Sequence, residues 1–331
     1  MCDMKHKRNR KSFILLVIIL LLVLVFLYSG LRFLESTVLR GNELPPEETT
    51  RRTVVEDGVE YFPRQDITVV LLAGIDEEGP VKNSGSYNNT GEADMVSLLI
   101  FDHKEEKLDI LCLNRDTMLD IPVLGIGGKR AGTLFGQLAL AHTYGSGLDD
   151  SCINLRQTVS DFFSGLHIDY YISLNMDAIE ILNDAVGGVT VEVTDDFSAI
   201  DPTITKGRVT LMGKQATTFV RTRQGLGDGM NVTRMERQRE YMRGFLESLG
   251  RSLEESKDFI PDTYSELEPY MVTDCTAKTI AAMLEDYAHY PLDETITLPG
   301  ENIRGKKFME FHVDDQALEN LVLQYFYAPK Q

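Results

Sequence analysis

Nine polar residues in this 331-residue chain have the types and spacing to handle a phosphate ester: Asp76, Asp94, Arg115, Arg221, Arg223, Asp228, Arg234, Arg237 and Gln238. Arginine presents a planar fork that takes phosphate oxygens in pairs, so several guanidiniums at one cleft point to a highly charged phosphate or pyrophosphate. Two nearby aspartates suit a hard divalent cation, since Mg²⁺ commonly takes one or two carboxylates together with phosphate oxygens. Taken singly, each charge reads as a structural ion pair; a shared location is what separates the two readings.

That location depends on the elements carrying the residues. Short apolar strands are predicted at 67–73, 95–101, 108–113, 170–174 and 189–193. Amphipathic helices are predicted at 137–144, 152–163, 176–186, 214–220, 232–249 and 277–287, several closed by glycines such as Gly145, Gly187 and Gly250. The alternation predicts a layered α/β/α domain around a central mixed β-sheet. The polar segment 102–106 predicts an antiparallel hairpin in which residue numbers summing to about 209 face one another, so that Asp94 faces Arg115 at the open end. Asp76 directly follows the apolar run VVLLAGI. If that strand runs parallel to 108–113, Asp76 reaches the same carboxyl edge. At about 100° per residue on the helix from Val232, Arg234, Arg237 and Gln238 share a face. Arg239 and Arg243 fall on the other side, as solvated partners of Glu236, Glu240 or Glu247.

Other chemistries lack support. Gly127-Gly128-Lys129-Arg130 has Val123 where a phosphate loop needs its first glycine and Arg130 where it needs Ser or Thr, so it reads as a plain loop. None of the six histidines forms an H-x-x-x-H pair and no G-x-S-x-G elbow is present. His142 reads as a packed or capping side chain. Of four cysteines, Cys152 and Cys275 form the one pair placed for a disulfide, with free thiols as the alternative.

The first 34 residues read as a cytoplasmic tip (1–12) and a membrane-spanning helix (13–34). Residues 13–28, FILLVIILLLVLVFLY, carry no charge, and the apolar run is long enough at 1.5 Å per residue to cross a ~30 Å hydrocarbon core. A cleaved signal peptide would end in small residues, whereas Phe26, Leu27 and Tyr28 are bulky. Five Lys and Arg residues before the helix keep the N-terminus cytoplasmic and place the rest outside the cell. A net charge of −18 with a tip of +4 leaves −22 for that remainder, a surface that repels nucleic acid. Residues 35–65, with ELPPEETTRR at their centre, read as a stalk, and 66–331 as a single extracellular domain.

Several segments resemble a known family in their order along the chain. LLAGID (71–76), the Asp94 segment, NRDT (114–117), ALAHTYGSG (139–147), DYYISLNMDAIEILNDAVGGVTVEV (169–193) and FVRTRQGLGDGMNVTRMERQ (219–238) are similar to the LytR-CpsA-Psr family of bacterial cell-wall glycopolymer ligases. The last follows that family's V-R-x-R, D and R-x-x-R-Q order. The resemblance implies a phosphotransferase that moves an anionic glycan, such as a teichoic acid or capsular polymer, from an undecaprenyl-pyrophosphate carrier to peptidoglycan at the membrane. It implies Mg²⁺, or Mn²⁺ in its place, held by Asp76 and Asp94. Arg115, Arg221, Arg223, Arg234 and Gln238 would grip the pyrophosphate, supported by Arg237 and Asp228. The lipid tail would need an apolar tunnel, with walls expected around Leu138, Ile179, Leu182 and Phe245. One departure is Glu92-Ala93-Asp94, where many relatives carry R-x-D; the loop 77–91 is also long. A lipid pyrophosphatase and a non-catalytic polyprenyl-phosphate-binding scaffold are the competing readings.

Overall fold

The computed structural model describes residues 53–56, 58–226, 231–287 and 289–330. The tip, the predicted spanning helix, most of the predicted stalk and Asp228 lie outside the described residues. Among those described, no helix is long and apolar enough to cross a membrane.

Residues at the end of the predicted stalk are folded: β1 (Val54–Glu56) and β2 (Val59–Pro63) form a three-stranded sheet with β15 (Tyr327–Pro329). The folded domain therefore begins ahead of the predicted boundary at residue 66, because the apolar positions of 54–63 find a strand some 270 residues away in sequence. The site-bearing sheet begins with β3 (Ile67–Ile75), β4 (Ala93–Asp102) and β5 (Lys107–Leu113). A hairpin of β6 (Met118–Leu124) and β7 (Arg130–Gln137) follows, then a short 3-10 turn at Leu138–Ala141 where a helix is predicted. Next come α1 (Asp149–Phe162), β8 (Tyr170–Asn175), α2 (Asp177–Ala185), β9 (Val189–Val193), β10 (Gly207–Leu211) and α3 (Lys214–Arg221). The chain continues through α4 (Asn231–Glu255), α5 (Phe259–Leu267), β11 (Met271–Thr273), α6 (Ala277–Tyr287), β12 (Leu292–Thr297), a hairpin of β13 (Gly300–Arg304) and β14 (Met309–Val313), and α7 (Asp315–Phe326).

Six strands form the central mixed sheet in the order β11-β8-β3-β4-β5-β12. β3 pairs parallel with β8 and β5 parallel with β12, while β4 lies antiparallel between β3 and β5. Val96 faces Leu113 and Ile100 faces Asp109, the register that the short polar turn predicts. β9 pairs only with β10, outside this sheet. α4 runs through Gly250 to Glu255, six residues beyond the predicted end, so this glycine does not terminate it.

Alternate residues divide the sheet into two unlike faces. Val69, Leu71, Ala73, Val96, Leu98 and Leu111 are fully buried under Leu155 and Val159 of α1 and Leu321 and Val322 of α7. On the opposite face Leu72, Met95, Leu99, Cys112, Ile172 and Leu174 are half-buried, while Val70, Ser97 and Ile110 among them are buried. A second core lies among β9, β10 and α3, with Val189, Val191, Phe197 and Phe219 at its centre and Tyr241 and Phe245 of α4 against it. Leu138 belongs to the first core and Ile179 and Phe245 to the second, so the walls expected from sequence do not line one tunnel. Cys152 and Cys275 are free and buried, and burial raises their thiols to about 12 and about 11.

Helix α4 approaches β9 at Gly244, where a Cβ would stand 2.3 Å from the Thr190 carbonyl oxygen. Helix propensity alone makes Gly244→Ala stabilising by about 1 kcal/mol. The contact reverses the sign: we expect a loss of about 1–3 kcal/mol from forcing α4 off β9, read as a lowered midpoint in thermal or urea unfolding.

Candidate functional site

The turn after β5 is built by its own sequence. Asn114 accepts from the Asp116 backbone N–H through Oδ1 (3.0 Å), while its carbonyl accepts from the Thr117 hydroxyl (2.7 Å). Arg115 is thereby held at the edge of the sheet, with its carbonyl bonded by the Ala139 N–H (3.0 Å). Across from it, the β3–β4 ladder slips between Gly74 and Ile75, opposite Met95 and Ala93, and Asp94 occupies the resulting bulge. Bulges re-aim a side chain at the cost of ladder regularity.

Asp94, 8% exposed, receives two guanidiniums: Arg115 contacts Oδ1, and Arg234 Nη1 bonds Oδ2 at 2.6 Å. Arg115 also pairs with Glu92, so the acid standing where many relatives carry Arg is an ion-pair partner within the site. Arg234 is 2% exposed and is steadied by Asn231, whose Oδ1 accepts from Nη2 (2.7 Å) and whose Nδ2 donates to Asn114 (2.8 Å). Burial, with the charges of Arg223 and Arg115 nearby, pushes the Arg234 guanidinium down to about 10. It remains protonated at neutral pH. Among the described residues the buried Nε–H groups of Arg115 and Arg234 have no hydrogen-bond partner, Asp116 Oδ1 standing 3.6 Å from Arg115 Nε. Such orphan donors are costly unless an acceptor arrives.

A second group lies on the open side. Arg221, the last residue of α3, bonds Asp76 Oδ1 at 2.8 Å and Glu78 Oε1 at 3.0 Å. Asp76 stands just past β3 and is 41% exposed at its side chain. Its expected neighbour was Arg115; its observed partner is Arg221, because β4 lies between β3 and β5 and separates the two strand ends. Arg223 is exposed and makes no ion pair among the described residues, yet its charge acts on both Arg234 and Asp116. A depression of about 570 Å³ opens here, lined by Thr217, Thr218, Arg221, Thr222, Arg223 and Gln224.

Arg237 has a different task. Its Nε donates to the Phe219 carbonyl (3.0 Å), Nη1 pairs with Asp195 (2.6 Å) and Nη2 bonds the Thr222 carbonyl. Gln238 Nε2 donates to the Val220 carbonyl at 3.3 Å. Both brace the end of α3 that carries Arg221 and Arg223, so Arg237 supports rather than grips, and Gln238 sits with it. Arg243 pairs with Glu240 as expected of a solvated side chain (2.7 Å). Three further residues belong to the constellation: Glu78, Asn231 and Asp116. Asp116 follows Arg115, is buried, and has its carboxyl raised by burial against the opposing pull of Arg115, Arg234 and Arg223. Only position within NRDT and at the start of α4 marks Asp116 and Asn231 in the sequence. His142 is buried, with Nδ1 on the Gly91 carbonyl (2.8 Å), a packed side chain as expected.

The donors available suit a hard cation: Asp76 is exposed, while both Asp94 oxygens already face guanidiniums. Among the described residues no group of three or more His, Cys, Asp and Glu side chains forms a metal cage. A cation here would find few protein ligands, Asp76 foremost among them, a donor set that fits a hard divalent cation such as Mg²⁺.

Known proteins share sequence and fold with this chain. The chain is 32% identical over 181 residues to the polyisoprenyl-teichoic acid–peptidoglycan teichoic acid transferase TagU of Oceanobacillus iheyensis, covering 55% of this chain and about half (51%) of that one. It is 27% identical over 254 residues to TagU of Bacillus anthracis, covering 76% of each. Solved structures share the fold: TagT bound to LI-WTA superposes with a TM-score of 0.60 at 22% identity over 79% of this chain and 90% of that one. TagU of B. subtilis does so with a TM-score of 0.56 at 22% identity over 78% and 95%. The LytR_cpsA_psr family model matches residues 42–325, from ahead of β1 into α7, and the chain belongs to that family.

Proposed function

We propose that this protein transfers an anionic, teichoic acid-type glycopolymer from a polyprenyl-pyrophosphate carrier to peptidoglycan, a reading supported by its similarity to the polyisoprenyl-teichoic acid–peptidoglycan teichoic acid transferases TagU. The observation that carries the reading is the pairing of an anion-seeking cluster with an incompletely covered apolar face. Among the described residues Arg115 and Arg234 hold donors without a hydrogen-bond partner and Arg223 has no ion pair, while Leu72, Leu99, Ile172 and Leu174 sit half-buried on the face of the sheet turned away from α1. A pyrophosphate joined to an isoprenoid tail needs both surfaces within one molecule's reach.

In this reading the acceptor sugar hydroxyl attacks the glycan-side phosphorus. A new P–O bond forms, the bond to the bridging oxygen breaks, and the lipid monophosphate departs. Arg115, Arg223 and Arg234 neutralise charge on the phosphoryl oxygens, and Arg221 passes from Asp76 and Glu78 to the ligand. Mg²⁺ held at Asp76 would supply further charge neutralisation, with Asp94 serving chiefly to fix Arg115 and Arg234. The apolar segment 13–34 anchors the chain with its domain outside the cell, where such a lipid-linked donor is met.

The test uses the full chain in detergent with a lipid-linked, labelled glycan and peptidoglycan, and reads label made covalent to the wall. We expect transfer that needs a divalent cation and falls about 10²–10³-fold in Asp76→Asn. Transfer unchanged by chelator and by Asp76→Asn would sink the metal-assisted reading. Release of free glycan phosphate without attachment would mark a pyrophosphatase instead.

A further inference from the structure

The two hairpins β6–β7 and β13–β14 take no part in the chemistry above, yet they meet behind Arg115. The Phe311 N–H donates to the Asp116 carbonyl at 2.8 Å, Thr117 bridges Phe311, and Gln137 Nε2 joins the Asp116 carboxylate (2.7 Å) to the Met309 carbonyl (2.9 Å). Their outer surface is unusual in two respects. Among the described residues eleven large apolar side chains are exposed, and five of these, Leu134, Phe135, Ile303, Phe308 and Met309, lie on the two hairpins. The hairpin tips also carry exposed Lys129, Arg130, Arg304, Lys306 and Lys307, none ion-paired among the described residues.

This concentration of positive charge sits on a chain whose net charge is −18. The bridge between Thr117 and Phe311 is parallel, so the two tips extend in opposite directions from it. β6 alone carries the chain roughly 23 Å from the bridge at about 3.3 Å per residue. The outcome is an elongated surface with basic tips, between which Phe135 and Ile303 lie on one pair of strand faces together with Asp120, Glu301 and Glu310, and Leu134 and Met309 on the other. Phe135, 60% exposed, lies on the same strand face as Gln137. Leu119 and Ile121 of β6 and Phe311 of β14 pack in the first core, which places the hairpins on the side of the sheet opposite the half-open apolar face.

We propose that this surface holds the polyanionic glycan of the donor as it leaves the arginine cluster. The inference rests on the reading given under Proposed function and deepens it by assigning the polymer a track of its own. Two features set the chemical class of the occupant. Flexible, well-separated cations match repeating phosphodiester or carboxylate groups, and exposed aromatic rings stack on the apolar faces of sugars or polyols. The attachment at Asp116 sets the direction. A chain covalently joined to a pyrophosphate at Arg115 and Arg234, with its lipid on one face of the sheet, continues along the other face, where the hairpins are.

The test measures binding to the full chain in detergent with four separate probes: a lipid-free glycerol phosphate oligomer, a neutral chitin tetrasaccharide, vesicles containing phosphatidylglycerol, and farnesyl pyrophosphate. The variant is the triple substitution Arg304→Gln, Lys306→Gln, Lys307→Gln, with Phe135→Ala as a second, and unfolding midpoints confirm that both fold. Wild type is expected to bind the oligomer in a salt-sensitive manner, the triple variant about tenfold or more weakly, with farnesyl pyrophosphate affinity unchanged in both variants. Equal oligomer affinity in wild type and triple variant overturns the proposal. So does tetrasaccharide binding as tight as that of the oligomer, or a defect confined to the vesicles, which would make the surface a membrane contact. Failure of farnesyl pyrophosphate to bind wild type counts against the arginine cluster as a pyrophosphate site, and leaves the oligomer measurement to be read by itself.

Discussion

Arg234→Leu is expected to destabilise the domain by roughly 3–5 kcal/mol, because it removes one partner of a buried ion pair and leaves the other behind. Asp94 would keep Arg115 but lose the 2.6 Å bond to Arg234 Nη1 and the contact its carbonyl makes with Nη2. Asn231, now bonded to both Arg234 and Asn114, would lose its tie between α4 and the turn after β5. In a domain of this size the loss corresponds to a fall of roughly 6–20 °C in the unfolding midpoint. Transfer should be lost as well, since the orphan Nε–H of Arg234 is among the donors offered to the phosphate. Adding Asp94→Asn to the variant should recover part of the stability by removing the stranded carboxylate charge, and none of the activity. A midpoint within 2 °C of wild type would show that Asp94 does not depend on Arg234, contrary to the network described.

Arg223→Ala is expected to do the reverse, sparing stability and abolishing transfer. The side chain is exposed and has no ion-pair partner among the described residues, so its removal should move stability by no more than about 0.5 kcal/mol. Its charge nevertheless acts at Arg234 and Asp116, the centre of the cluster. An arginine that stabilises a phosphoryl transition state is worth about 10³–10⁵ in rate. Arg223→Lys should rescue little, since an ammonium cannot reproduce the planar fork. Initial rates of glycan attachment decide the matter: an Arg223→Ala rate within threefold of wild type would remove this residue from the mechanism. Arg237→Ala supplies the contrast. Its donors bond the Phe219 and Thr222 carbonyls and Asp195, so activity and stability should fall together as the end of α3 loosens.

Much of the architecture was readable before any fold was known. Alternating apolar runs located β3, β4, β5, β8 and β9, and the short turn between Asp102 and Lys107 set the register that opposes Val96 to Leu113. The β6–β7 and β13–β14 hairpins were not read, because β6 sets only Leu119 and Ile121 around exposed Asp120, β7 and β13 are largely exposed, and residues 127–130 read only as a loop. β1 and β2 were absorbed into a stalk since their partner β15 lies at the far end of the chain. Gly250 read as a stop, yet packing of α4 against β9 carries the helix past it.

By itself the sequence determined which groups were available: the aspartates, the arginines in V-R-x-R and R-x-x-R-Q spacing, and strands that end near them. It also pointed to the class of ligand proposed above, since guanidinium and carboxylate chemistry does not depend on the fold. Which arginine meets the ligand was decided by tertiary structure alone. Arg234 and Arg237 stand three residues apart on one helix, are both buried and are both charged. One reaches a carboxylate placed in the cleft by the Asp94 bulge and keeps a donor that is unpartnered among the described residues, whereas the other gives two donors to carbonyls at the end of α3 and a third to Asp195. Hydrogen-bond partners within about 3 Å are set by how non-adjacent elements pack, and local patterning carries no record of that distance.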